Sequence, residues 1–367
     1  MKLSTLIKTA AIGSIAALAL TSCAANESSA KPSDDTSTTS SLSGELIGAG
    51  ASSQGSAQEA WISGFQTTND KVTVNYDPTG SGAGRETFQQ GASAFAGSDR
   101  AFKVDEIKAG PFDSCAADSD IVEFPAYISP IALIFNVKGV DSLKLDASTV
   151  AKIFSGKITK WNDPAIAALN SGATLPDANI VPVHRSDKSG TTENFTDYLA
   201  AAAPADWAPG AIEEWPTDLG GEAAQGTSGV VEAVTNGVGT IGYADASRAG
   251  DLSTVEIKVG DKFVAYSPEA AAAIVDASPL EEGRSTHDLA IAIDRTSTAD
   301  GTYPIVLVSY LIGCQNYKDS AQADLVKAYF NYIVSTEGQD QAAKAAGSAP
   351  ISDDLRSKVQ VAIDAIK

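Results

Sequence analysis

Basic residues are scarce in this chain: its 367 residues carry 26 Lys and Arg against 46 Asp and Glu, a formal net charge of −20. Such a polyanion is a poor nucleic-acid binder and is repelled by anionic membrane surfaces. Any anion it takes must therefore be held by local dipoles and one or two placed cations, against the average field. Histidine and cysteine are scarcer still. His184 and His287 stand far apart, and the cysteines are Cys23, Cys115 and Cys314. Transition-metal sites need such residues clustered at short spacing, so no metal is expected. Nucleotide-cofactor loops are missing too. The dinucleotide fingerprint would need glycine where Ser53 stands after Gly48 and Gly50, and Lys188 precedes Ser189-Gly190 instead of following a glycine as in a P-loop. No apolar run is long enough to cross a bilayer, because residues 9–20 form only a twelve-residue stretch, broken by Gly13.

That stretch has another use. Behind Lys2 and Lys8 it reads as the core of a signal peptide, residues 1–22, and its loss takes the charge to −22. It ends in Leu20-Thr21-Ser22-Cys23, which resembles the lipobox of bacterial lipoproteins; the resemblance implies acylation of Cys23 and a membrane anchor. Between Ala24 and Ser43, ten of twenty residues are Ser or Thr, none is aromatic, and Leu42 is the one large aliphatic. Such a segment cannot bury enough apolar area to offset its chain entropy. Residues 23–43 are thus expected to be a lipidated tether, roughly 25 Å end to end. In the oxidising compartment this address implies, Cys115 and Cys314 are expected to pair.

With 43% hydrophobic residues the remainder can fill one large core or two medium ones. Short β-rich runs (46–47, 72–76, 94–96, 121–135, 241–243, 305–312) alternate with helical patterns at 58–65, 85–90, 150–154, 164–169, 195–202, 229–235, 321–335 and 339–346. Alternation of this kind predicts an α/β fold. About 320 ordered residues suggest two lobes. The long strands at 121–137 and 303–312 are the natural crossovers, which places lobe I at 44–128 plus 304–367 and lobe II at 129–303.

Three turns rich in Gly, Ser and Thr each precede a helix: residues 48–53, 79–84 and 185–192. Glycines let backbone approach a ligand, and hydroxyls and free N–H groups at a helix start suit an oxyanion. Ser56 and Glu59 form a candidate capping box for the first helix. Arg185 opens the third turn, and its planar fork fits a tetrahedral oxyanion, with Asp187 able to orient it. Asp99 looks misplaced beside an anion. An ionised carboxylate only accepts hydrogen bonds, however, so it can welcome phosphate, which still carries a proton, and repel sulfate, which does not.

These turns, in this order, resemble the phosphate-binding proteins of bacterial high-affinity phosphate ABC importers, over nearly all of residues 45–352. The motifs that carry the resemblance are Gly48-Ala49-Gly50-Ala51, Val74-Asn75-Tyr76 with Gly80-Ser81-Gly82, and Gly97-Ser98-Asp99. The run from Gly156 to Pro164, the run from Arg185 to Thr191, and Ile241-Gly242-Tyr243 complete the set. The resemblance implies a two-lobe periplasmic-binding-protein fold of type II and no enzymatic activity. It implies phosphate ligands Ser52, Ser53, Ser81, Asp99, Arg185, Ser189, Gly190 and Thr191, with Asp187 behind Arg185. Ser52-Ser53 stands where the family often has Thr-Phe, and Lys188 where glycine is common. The expected partners are inorganic phosphate and a membrane permease, and the expected state is a monomer on the outer face of the cell membrane. The rival readings are a binding protein for sulfate or molybdate, a secreted phosphate-ester hydrolase recruiting His184 or His287, and an adhesin reusing the fold.

Overall fold

The computed structural model describes residues 42–367, so the leader, Cys23 and the tether up to residue 41 lie outside the described residues. Eleven strands are present: β1 (Gly44–Gly50), β2 (Val72–Asp77), β3 (Phe95–Ser98), β4 (Ile121–Asn136), β5 (Ser142–Leu145), β6 (Val181–Arg185), β7 (Glu222–Ala224), β8 (Thr240–Asp245), β9 (Ser253–Val259), β10 (Lys262–Val264) and β11 (Val306–Cys314). Their hydrogen-bonded order is β2-β1-β3-β11-β4-β8-β6-β7, with β9 joining β4, β5 and β10.

β4 is the spine. Its first part pairs antiparallel with β11 as far as Pro130, and its second pairs antiparallel with β8 from Ile131 onward. One strand thus belongs to two sheets. It is buried on both sides from Ile121 to Phe135, which is why its sequence runs apolar without alternation. β1 lies parallel to β2 and β3 in the first sheet, and β6 lies parallel to β7 and β8 in the second. The result is the two-lobe α/β architecture expected from the alternation.

Helices cover the sheets. Gly55–Thr68, Ser81–Gln89, Gly190–Ala202 and Gly226–Asn236 lie where the sequence placed them, with longer bounds, and Ser320–Val334 is shifted by one residue; Val104–Ala109, Pro268–Asp276 and Asp353–Asp364 were not expected. Trp61 is fully buried on the first of these, and its indole N–H donates to the Gly338 carbonyl at 2.8 Å. The capping box expected from Ser56 and Glu59 does not form. The chain enters that helix through a 3-10 turn, Ser52–Gln54, so the cap position falls on Gln54 and carries no side-chain bond. Ser56 is already inside the helix.

Cys115 and Cys314 form the expected disulfide, with Cα atoms 5.3 Å apart and 199 residues between them. The bridge ties the segment before β4 to the end of β11. Closing so long a ring restricts the unfolded chain, so replacing both cysteines by serine is expected to cost about 2–5 kcal/mol. Urea unfolding of the two proteins under oxidising conditions measures the difference.

Candidate anion-binding site

All three turns singled out in the sequence converge at the ends of β1, β2 and β6. Gly50 closes β1 with φ +145°, and a Cβ there would stand 1.9 Å from the Gly97 carbonyl, so only glycine lets β1 and β3 approach. The chain then turns through Ser52–Gln54 into its helix. The second turn passes Gly80 and opens the helix at Ser81. In the third, Ser189 caps the helix Gly190–Ala202 by accepting the Thr192 N–H at 3.1 Å.

Asp99, 2% exposed just past the end of β3, is the meeting point. Its Oδ1 accepts the Ser53 hydroxyl at 2.6 Å and the Ser309 hydroxyl at 2.7 Å, and its Oδ2 accepts the Thr191 hydroxyl at 2.8 Å. Its own N–H donates to Ser81 Oγ at 3.0 Å. Burial pushes the Asp99 carboxyl above its ordinary range; the three hydroxyls and the charge of Arg185 pull the other way without cancelling it. Gly190 packs so tightly here that a Cβ would fall 2.7 Å from that of Asp99. The third turn, carried by the second sheet, is therefore pressed directly onto the first two.

Arg185 ends β6, 3% exposed. Its Nε donates to Asp187 Oδ1 at 2.7 Å, and one Nη donates to Oδ2. Asp187 also accepts the Gly226 N–H at 3.0 Å. Burial opposes the charge of Asp187, but the hydrogen bonds and charge of Arg185 hold its carboxyl below the ordinary value. Fixed at the fork by Asp187, the guanidinium keeps further N–H capacity for another acceptor.

Ser52 behaves differently from Ser53. Its hydroxyl accepts the Thr227 N–H at 3.1 Å and lies 3.1 Å from the Thr227 hydroxyl. A fourth turn, at the start of the helix Gly226–Asn236, thereby joins the site. Its Gly226-Thr227-Ser228-Gly229 composition was visible in the sequence. Asn194 also belongs here, its amide donating to the carbonyls of Asp99 at 2.5 Å and Gly190 at 2.9 Å.

Around this centre the two halves are clasped by ions. Arg85 pairs with Glu213 at 2.6 Å, and Arg100 reaches Glu193 at 2.8 Å and Glu213 at 2.9 Å. The Glu213 carbonyl accepts the Ser189 N–H at 3.1 Å, so the clasp is tied to the third turn. A cavity of about 440 Å³ lies beside Asp99, bordered by Arg100, Arg284 and Arg295. Those guanidiniums are already committed, Arg284 to Asp288 at 2.8 Å and Arg295 to Asp197 at 3.0 Å.

His184 is used structurally. Its ring lies face to face with Trp215 at 4.8 Å, and its Nδ1 donates to the Arg185 carbonyl at 2.9 Å. Burial holds its pKa below the ordinary value. A proton-accepting role toward a site serine finds no support in that geometry. Among the described residues, no group of three or more His, Cys, Asp and Glu could hold a metal ion.

The comparisons agree with one another. Residues 35–337 match the PBP superfamily domain. The Phosphate-binding protein PstS 3 of Mycobacterium tuberculosis is 35% identical over 328 residues, covering 88% of this chain and 86% of that protein. Its namesake in Mycobacterium leprae is 34% identical over 375 residues, covering 97% and 98%. Among solved structures, the high affinity periplasmic phosphate-binding protein PfluDING superposes with a TM-score of 0.69 at 23% identity, covering 87% of this chain and 93% of that one. The fold, the order of the turns and these identities together place the chain in the PBP superfamily, in the family of the PstS phosphate-binding proteins.

Proposed function

We propose that this protein binds inorganic phosphate between its two lobes outside the cytoplasm and delivers it to the permease of an ABC importer. The observation that carries the reading is Asp99: a buried carboxylate, surrounded by hydroxyls, placed in a site whose other features invite an anion. Only an anion that still bears a proton satisfies such an acceptor. Sulfate and molybdate lack that proton at neutral pH. In this reading Ser52, Ser53, Ser81, Arg185, Ser189, Gly190 and Thr191 surround the phosphate with donors while Asp187 holds Arg185, and residues 44–128 plus 304–367 close on residues 129–303. Closure around a dehydrated anion is a ligand-driven population shift. Acylated Cys23 and the Ser/Thr-rich tether would keep a monomer beside its permease, and no catalytic step is invoked.

Calorimetry on the full chain tests this directly, after unfolding and refolding to strip bound anion. One-to-one heat with phosphate and little with sulfate or molybdate is the expected result. No heat and no thermal shift with phosphate would sink the reading.

A further inference from the structure

Ser309 is a polar residue in the apolar run of β11, and its hydroxyl reaches Asp99 through an irregularity in the sheet. The β11–β4 register shifts between Ser309 and Tyr310: Ser309 faces Tyr127 while Tyr310 faces Pro125, leaving Ala126 as an extra residue. Bulges of this kind re-aim side chains beside functional sites. The carbonyl of Ala126 is taken up by Gln339 Nε2 at 3.0 Å, which ties the bulge to the helix Thr336–Ala346.

Behind Ser309 runs a buried chain of hydrogen bonds whose direction is fixed. The Gln54 amide nitrogen lies 3.1 Å from the Tyr310 carbonyl oxygen, which can only accept, so the NH₂ end of Gln54 must point that way. Its second N–H then donates to Ser309 Oγ at 2.6 Å. Gln54 Oε1 accepts Gln58 Nε2 at 2.9 Å, and Gln58 Oε1 accepts the Tyr329 hydroxyl at 2.8 Å. Gln54, Gln58, Ser309 and Tyr329 are each 1% exposed or less. Ser309 has one proton, and since its oxygen is already accepting from Gln54, that proton goes to Asp99 Oδ1.

We propose that Ser309, oriented by Gln54, is a specificity-positioning residue: it holds Asp99 as a hydrogen-bond acceptor and so makes a proton on the bound anion a requirement. The inference rests on the phosphate reading above and assigns its selectivity to groups outside the ligand set. A protonated Asp99 would donate, and a donor tolerates sulfate. Ser53 adds a second hydroxyl on the same oxygen, which leaves Oδ2, with Thr191, toward the third turn. The charged and titratable groups facing Asp99 from the surrounding elements are Arg185 at the end of β6, Asp245 at the end of β8 and Tyr76 on β2.

The test is calorimetry of the full chain with phosphate and with sulfate, between about pH 5.5 and about pH 8.5, for wild type, Ser309→Ala and Gln54→Met. Loss of a hydroxyl that favours the carboxylate raises the pH at which Asp99 takes up a proton. Phosphate affinity should then begin its acid decline about one pH unit higher in Ser309→Ala. At the acid end the preference for phosphate over sulfate should fall about tenfold, the scale of one charge-assisted hydrogen bond. Gln54→Met should shift both in the same direction by less, because the Ser309 hydroxyl remains but is free to turn. If Ser309→Ala does not fold, Gln54→Met decides. Equal weakening of both anions at every pH, or profiles identical to wild type, would overturn the proposal. Absence of phosphate heat in the wild type would instead overturn the phosphate reading, and that failure is visible without any variant.

Discussion

Arg185→Met should raise the phosphate dissociation constant about 10²- to 10³-fold. Removing one partner from a buried charge pair typically costs about 2–5 kcal/mol, and each 1.4 kcal/mol is a factor of ten. Arg185 is 3% exposed and holds Asp187 through two hydrogen bonds. Truncation removes the buried cation of the third turn and leaves a carboxylate in its place, still tethered to the Gly226 N–H. Part of the loss is therefore repulsion by Asp187. Arg185→Met combined with Asp187→Asn should bind phosphate more tightly than Arg185→Met alone, a non-additivity expected of residues in contact. Because a guanidinium serves any oxyanion, residual sulfate binding should weaken by a similar factor. Titration calorimetry with both anions across the three proteins measures all of this, and a selective loss of phosphate alone would contradict the role given to Arg185.

Asp99→Asn should act the opposite way on selectivity. Its amide keeps the shape and can donate, so phosphate loses its acceptor while sulfate gains a donor. With about 1.5–3 kcal/mol at stake in each hydrogen bond to a charged group, one lost to phosphate and one gained by sulfate, the phosphate-to-sulfate ratio should fall about 10²- to 10⁴-fold. Stability should move in the other direction. Burial raises the Asp99 carboxyl in the folded chain. A carboxyl that binds its proton more tightly when folded destabilises the fold at neutral pH, and that cost fades as pH falls through the folded value. The ligand-free Asn variant should accordingly melt above wild type near neutral pH, with the gap closing in acid. A calorimetric scan of both proteins without phosphate checks this; a lower midpoint for the variant would mean that Asp99 is a structural carboxylate first.

Much of this arrangement was legible before the structure. β4 declared itself by a long apolar run, and the three turns by Gly, Ser and Thr set between a strand and a helix. Ser53, Ser81, Asp99, Gly190 and Thr191 do meet in space, and Arg185 does lean on Asp187. β6 was hidden because Pro182 sits inside a strand that pairs on both sides, where proline argues against strand. Ser52 turning to Thr227 could not be read, because the partners lie 175 residues apart and neither pattern names the other. Glu213 sits in an irregular segment with no periodicity, yet two arginines from the opposite half converge on it. Ser309 was a missed residue with a visible signal, a lone serine in the run from Val306 to Ile312. Its meaning depends on a sheet bulge, which local sequence does not announce.

The buried arginines have a consequence for how copies of the molecule treat each other. Arg85, Arg100, Arg185, Arg284 and Arg295 are each matched inside the protein by Glu213, Glu193, Asp187, Asp288 and Asp197. Cations spent internally do nothing to relieve the exterior, where most of the acidic excess lies. Wherever many copies crowd together, they repel at separations up to a Debye length, about 10 Å at 0.1 M salt and about 30 Å at 0.01 M. Dilute surroundings thus hold neighbouring molecules apart, while salt lets them draw close.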